Sequence, residues 1–362
     1  LSDDLKHRKN QDIARSVKKL NVITNINALS TEQHTAREWA RLLAPYGAPN
    51  DKRAIFEILI TIVPFLAFWA GTAYLLHHGH YWTGLFLILP TSAFLLRLFL
   101  IQHDCGHGAF FKNRQANDWT GRILGVLTFT PYFFWKYAHN MHHAGSGNLA
   151  RRGFGDINTL TVEEYAARTP WQKFCYRMYR NPYVMFGIGP WFTFLLDQRL
   201  PLGQTRNGYR PWVSTMGTNL SLAVLFSLLI SLVGWKIFLT IHLSIAVIAS
   251  TIGVWLFFVQ HQFEDMSWEH DDEWKWHESA LFGSSHYDLP QPFRWFTANI
   301  GLHHIHHLSS RIPYYRLSDV VRDYPALREI NRLTFRESFK CVPLALWNGE
   351  SRTMQSFKAA GF

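Results

Sequence analysis

Four apolar runs constrain what this chain can fold into. A helix needs roughly 20 mostly apolar residues to cross a bilayer. Four stretches reach that length: Ala54–Leu76, Trp82–Gln102, Val213–Trp235 and Ile237–Val259. His77–Tyr81 joins the first two, and Gly234–Lys236 joins the last two. Connections this short force each pair into a helical hairpin. The mean hydropathy of the 362 residues, −0.07, conceals the runs because polar segments between them offset the average. The expected fold is an all-α integral membrane protein: four transmembrane helices in two hairpins, with a cytoplasmic helical cap. No repeat or Ser/Gly/Pro linker divides it, so 1–362 reads as one domain. Its parts are an N-terminal segment (1–53), a first hairpin (54–102), a cap segment (103–212), a second hairpin (213–260) and a C-terminal cap (261–362).

Charge orients the spans. Lys and Arg concentrate on the cytoplasmic side of membrane proteins. Residues 1–53 carry ten of them, and 103–212 carry many more, among them Arg151, Arg152, Arg177 and Arg180. The two hairpin connections carry only Lys236. The N-terminus, the 103–212 segment and everything after residue 260 are therefore expected on the cytoplasmic side. Glu57 lies near the start of the first span. Arg97, near the end of the second, is expected to snorkel toward that side. Val126–Trp135 and Tyr183–Leu196 are apolar but too short to span, and read as interfacial or re-entrant. The net charge of +10 follows from cytoplasmic Lys and Arg, and also suits anionic headgroups or an acidic partner. No aromatic-basic motif points to nucleic acid. Cys105, Cys175 and Cys341 form no disulfide framework or zinc pattern. The basic, polar first fifty residues do not read as a signal peptide.

The 19 histidines are clustered. His103 and His107 sit in HDCGH, where the second span emerges. His139, His142 and His143 sit in HNMHH, after Tyr132–Trp135. His303, His306 and His307 sit in HHIHH. His261 sits where the fourth span emerges. On a helix, positions i, i+3 and i+4 share a face. HxxxH thus aims two imidazoles one way, and HxxHH aims three. The boxes supply eight ligands and His261 a ninth, too many for one metal and suited to two. Imidazole accepts iron, zinc, copper or nickel, so spacing leaves the metal open. All four elements fall on one membrane side. His304 lies about 100° round the helix from His303, and joins the set only if that segment is not helical. Asp156, Glu264 and Asp265 are candidate acceptors for the second ring nitrogens of the ligands. His77, His78 and His80 lie on the opposite side. His242 is about 28 Å along the helix from His261.

These motifs resemble the membrane-bound fatty acid desaturases. The resemblance runs from the first span to about residue 320. It rests on HDCGHGAFF, WKYAHNMHHAGSGN, GDINTLTVEEY, FVQHQFED, GSSHYDLP and NIGLHHIHHLSSRIPYY. It is strongest to the acyl-lipid branch, particularly bacterial omega-6-type enzymes. It implies two non-haem iron ions, dioxygen as co-substrate and two external electrons for removing two hydrogens from an acyl chain. It carries the metal positions onto His103, His107, His139, His142, His143, His303, His306 and His307, with His261 matching an additional histidine. The animal acyl-CoA branch has Asn one turn before that histidine. Here Phe257 stands there, so that contact does not carry over. No fused cytochrome with an HPGG haem motif is present, which implies a separate donor, a ferredoxin or a cytochrome-b5-type protein. An apolar tunnel is expected to enter near Val126–Trp135, with Trp135 lining it near the metals. The resemblance favours a bacterial inner membrane over the endoplasmic reticulum.

Other functions remain open to a chain with these boxes. Hydroxylation, acetylenation and carotenoid oxidation use the same scaffold. The box pattern of alkane monooxygenases does not match. A metal transporter or sensor would place polar ligands at mid-membrane, whereas these cluster at one end of the spans.

Overall fold

The computed structural model describes residues 35–153 and 155–362. Residues 1–34, most of the expected cytoplasmic N-terminal segment, lie outside the described residues. A short helix, α1 (Ala36–Leu43), precedes the spans. The four long helices are α2 (Asp51–His77), α3 (Tyr81–His107), α6 (Tyr209–Val233) and α7 (Trp235–His261). Between the pairs lie α4 (Arg114–Leu127) and α5 (Tyr132–Gly145). In the C-terminal part, α8 (His303–Leu308) and α9 (Tyr314–Asp323) follow.

The spans are as apolar as the sequence requires, and all four are long enough to cross a membrane. Their outward faces carry Val63, Leu66, Phe86, Leu220, Leu228 and Leu239, all exposed. An apolar surface this extensive needs lipid against it. The hydroxyls of Thr61, Thr91 and Ser92 donate to carbonyls four residues back, so these three are satisfied within their own helices. Gly234, at φ 80°, supplies the left-handed turn between α6 and α7.

Arg97 departs from the expectation that it snorkels. It is 2% exposed, and its Nη2 lies 2.5 Å from Glu57 Oε2. Its guanidinium sits 4.0 Å over the Trp295 ring and donates to the Trp295 carbonyl. Tyr314 Oη donates to the same Glu57 oxygen, at 3.0 Å. Four elements therefore meet on one buried charge pair. A paired, hydrogen-bonded guanidinium has no need to reach water.

Val126–Trp135 is not one re-entrant segment. It contains the end of α4, a buried break at Thr128–Pro131 and the start of α5. Thr130 N donates to Gly125 O, and Thr128 Oγ1 to Gln102 Oε1. A Cβ on Gly125 would lie 2.5 Å from Thr130 O, so the close turn requires glycine. Tyr183–Leu196 is helical in two pieces, with Tyr183, Ile188, Phe192 and Leu196 exposed.

The cap is mostly helical with two small sheets. β1 (Leu160–Thr161) pairs in parallel with β4 (Leu344–Asn348), and β4 pairs antiparallel with β5 (Thr353–Ser356). β2 (His286–Asp288) pairs in parallel with β3 (Arg332–Thr334). These strands tie the C-terminal residues back to the end of α7 and the segment after it, where Ser285 N donates to Gln260 O and Met354 N to Glu264 O.

Candidate metal centre

The helices α3 and α7 end at the same level, and each ends in a histidine. His103 and His107 occupy the last two turns of α3, and His261 is the last residue of α7. α5 brings His139, His142 and His143, and α8 brings His303, His306 and His307. The Tyr132 hydroxyl donates to the Cys105 carbonyl at 2.8 Å, between the two histidines of the first box. That bond fixes the start of α5 against the end of α3.

The nine side chains sort into two groups. His103, His107, His139, His143 and His306 form one, and His142, His261, His303 and His307 the other. Within each group the candidate ligand atoms lie within 4.8 Å of one another. Each HxxHH box divides the same way. Its i, i+4 pair enters one group, and its i+3 histidine enters the other. Sequence spacing shows that the three share a face. It does not show which neighbour each one meets.

Two metal ions fit these groups. His139 Nε2 lies 3.0 Å from His107 Nε2 and 3.1 Å from His143 Nε2. His143 Nε2 lies 3.2 Å from His306 Nε2. In the other group His261 Nε2 is 2.8 Å from His303 and 3.1 Å from His142, and His303 is 3.1 Å from His307. A ring nitrogen has one in-plane site, either a proton or a lone pair, so it cannot serve two such neighbours by hydrogen bonding. A shared cation can satisfy them all. Metal–nitrogen bonds of about 2.1 Å at right angles separate adjacent nitrogens by about 3 Å. Burial holds His139, His143, His303, His306 and His307 well below the ordinary imidazole pKa, and neighbouring histidines push the same way. Burial lowers His142 too, against the pull of Asp156. Neutral imidazole is the form that binds metal.

The structure brings one of the three expected carboxylate acceptors near a histidine. Asp156 Oδ2 lies 3.8 Å from His142 Nδ1. Glu264 and Asp265 are exposed instead. The reason is local: α7 stops at His261, and Gln262 leaves the helical region (φ −136°, ψ 69°). The chain then turns outward. An acceptor not anticipated from the sequence is Asp104. Its Oδ1 lies 3.3 Å from His103 Nδ1, and its Oδ2 accepts from Tyr314 N at 2.6 Å. Its place in HDCGH, beside a ligand candidate, was the available signal. His304 stands apart from both groups, with Nε2 2.8 Å from Leu327 O.

A cavity of about 410 Å³ reaches the two groups. Its lining includes His103 and His139 from one and His303 from the other. Leu95, Leu96, Phe99, Phe194, Ala246, Ala249 and Gly253 make most of the remaining wall apolar. Trp135 lines it as well, stacked on His139 and edge-on to Phe99. Phe257 closes the other side, with its ring 5.1 Å from His142 and 4.9 Å from His261.

A profile of the family described as fatty acid desaturase matches residues 80–339. A Bacillus subtilis (strain 168) protein named fatty acid desaturase is 39% identical over 332 residues, covering 91% of this chain and 94% of that protein. The chain belongs to the fatty acid desaturase family. Other desaturases are similar at lower identity. A Synechocystis protein named sn-1 acyl-lipid omega-3 desaturase (ferredoxin) is 26% identical, covering 74% of each chain. An Anabaena variabilis sn-1 oleoyl-lipid 12-desaturase is 28% identical, covering 63% of this chain and 64% of its own. Membership in the desaturase family makes this membrane protein an oxidoreductase of lipid metabolism. Its two histidine clusters can hold metal ions, and its apolar cavity adjoins them.

Proposed function

We propose that this chain is an acyl-lipid desaturase that introduces a cis double bond at a di-iron centre held by the nine histidines. The observation that carries this reading is the apolar cavity ending on histidines of both groups. The reaction balances as R–CH2–CH2–R′ + O2 + 2e⁻ + 2H⁺ → R–CH=CH–R′ + 2H2O. An unactivated methylene is not acidic, so side-chain proton transfer cannot break its C–H bond. When bound, the iron pair supplies the oxidising chemistry with dioxygen that this bond requires.

The protein's own part is placement. Leu95, Leu96, Phe99 and Phe194 hold an alkyl chain by burial, which contributes about 0.8 kcal/mol per methylene. Trp135 and Phe257 flank the two groups and keep water from the reacting carbons. The chain must lie with two adjacent carbons against both groups at once, a positional requirement more than a binding one. Asp104 orients His103 through its second nitrogen, and the Asp156 carboxylate, 3.8 Å from His142 Nδ1, acts on His142 by charge alone.

The electrons come from a separate donor, a ferredoxin or a cytochrome-b5-type protein. The name of the Synechocystis relative, which includes ferredoxin, supports the first of these. Lys and Arg distribution supports a metal centre on the cytoplasmic side. The similarity to a Bacillus protein supports a bacterial membrane over the endoplasmic reticulum. The whole chain acts as one desaturase domain.

Lipid analysis after expression in a host without polyunsaturated acids tests the reading. A new cis double bond at one position is expected. A hydroxylated product, or unaltered lipids with the donor supplied, would overturn it.

A further inference from the structure

The helix α8 must solve an orientation problem. It is six residues long, and its N-cap residue, Leu302, makes no side-chain capping bond. Helices shorter than about 12–15 residues do not hold themselves in water. Yet α8 sends His306 to one group and His303 and His307 to the other. An atom about 6 Å from the helix axis moves roughly 2 Å when the helix rotates by 20°. Metal–ligand distances tolerate about ±0.2 Å. Ligand histidines are usually steadied by a hydrogen bond at the second ring nitrogen. The Nδ1 atoms of His303 and His306 are buried and have no such partner among the described residues.

We propose that His304 is a positioning residue that sets the rotation of α8 by donating its Nε2–H to the Leu327 carbonyl. This rests on the reading of the nine histidines as holders of two metal ions. His304 is fully buried and points away from both groups, with Nε2 2.8 Å from Leu327 O. His286, on β2, grips the next carbonyl, with Nδ1 2.6 Å from Arg328 O. His286 also bridges to Leu302, the residue just before α8. The turn Pro325–Glu329 is thus clasped by two histidines, one on α8 and one on the strand beside it. Asn331 keeps the turn in place by donating to the carbonyls of Leu281, Phe282 and Ser284. His304 belongs to neither histidine group, so it is not a tenth ligand.

The test compares His304→Gln with His304→Leu in detergent-purified full-length protein. The readouts are iron per chain and the Mössbauer spectrum of iron-57-loaded protein. The amide nitrogen of H304Q reaches the same carbonyl, so about two irons per chain and a wild-type spectrum are expected. H304L lacks the donor. Its folded fraction should bind iron 10–100-fold more weakly, with altered quadrupole doublets. A residue that merely supports folding would lower yield and leave the spectrum of the folded fraction unchanged. If H304L fails to fold, H304N, whose amide is too short to reach, takes its place. Iron loss in H304Q equal to that in H304L would make His304 a ligand and overturn the proposal. Two irons with an unchanged spectrum in H304L would overturn it as well. Both outcomes leave the wild-type centre intact. A wild-type protein without stoichiometric metal would instead sink the metal reading, and this proposal with it.

Discussion

The Trp135 ring lies flat on the His139 ring, with centroids 4.7 Å apart and planes inclined by 14°. One flat side chain therefore forms cavity wall and braces an imidazole of the five-histidine group. Trp135→Ala should damage both roles. Misplacing a reacting carbon by about 1 Å costs on the order of 100-fold, so activity should fall at least tenfold. Product analysis should show double bonds at more than one position. A single product position at unchanged rate would exclude Trp135 from substrate placement.

Removing a histidine from one group should empty that group first. His142→Ala should abolish desaturation and lower iron from about two to about one per chain. His139→Ala should do the same through the other group. The double variant should hold almost none. Elemental analysis decides this, and unchanged activity in H142A would sink the two-group centre.

Asp104 links the first box to the start of α9 through His103 and Tyr314. Asp104→Asn keeps the volume and removes the charge that steadies His103. Losses of such outer partners typically cost 10–100-fold in metal affinity or activity. Chelator competition on the purified variant should show that loss. Wild-type affinity would mean that His103 is held by its neighbours alone.

Acid should weaken the metal-free fold. Unfolded imidazoles take protons near pH 6.5. The folded His139, His143, His303, His306 and His307 resist protonation until well below that, because they are buried. In this window the unfolded state binds more protons, so stability falls as pH falls. Above about pH 7 these groups contribute no pH dependence. Thermal unfolding of the metal-free protein from pH 8 to pH 5 should show Tm falling below about 6.5. A Tm that rises on acidification would contradict neutral, buried histidines.

Ala246, Ala249 and Gly253 leave room in the cavity wall on α7. Ala249 lies twelve residues before His261, about 18 Å along the helix. Ala249→Phe should fill a part of the cavity well away from the histidines. Long acyl chains should lose at least fivefold in kcat/KM relative to shorter ones, with iron content unchanged. Equal losses for all chain lengths would mean that substrate does not reach Ala249.

The sequence exposed the spans, the turns between them and the histidines that gather at one end. Those depend on local signals: apolar length, a short polar connection, and spacing on a single helix. Contacts between distant segments were not legible. Arg97 and Glu57 lie 40 residues apart, and nothing in either span names the other as its partner. The division of His142 from His139 and His143 depends on where α7 and α8 stand, which box spacing does not record. Glu264 and Asp265 lie exposed in the segment that follows the end of α7 at His261, a position that proximity in sequence does not record. The second contact of Asp104 is not legible either, because Tyr314, whose N–H it accepts, lies 210 residues away.

The buried Arg97–Glu57 pair also bears on how the chain enters a bilayer. An arginine at the centre of a lone span costs about 2.5–3.5 kcal/mol during insertion. Arg97 lies five residues inside the end of the second apolar run, where the cost is smaller than at the centre. Glu57 is synthesised first and waits on the preceding helix, itself an awkward occupant alone. Neither helix is a good passenger by itself, and each neutralises the other. The expectation is that the first hairpin integrates as a unit, with Glu57 and Arg97 pairing before either helix meets lipid alone.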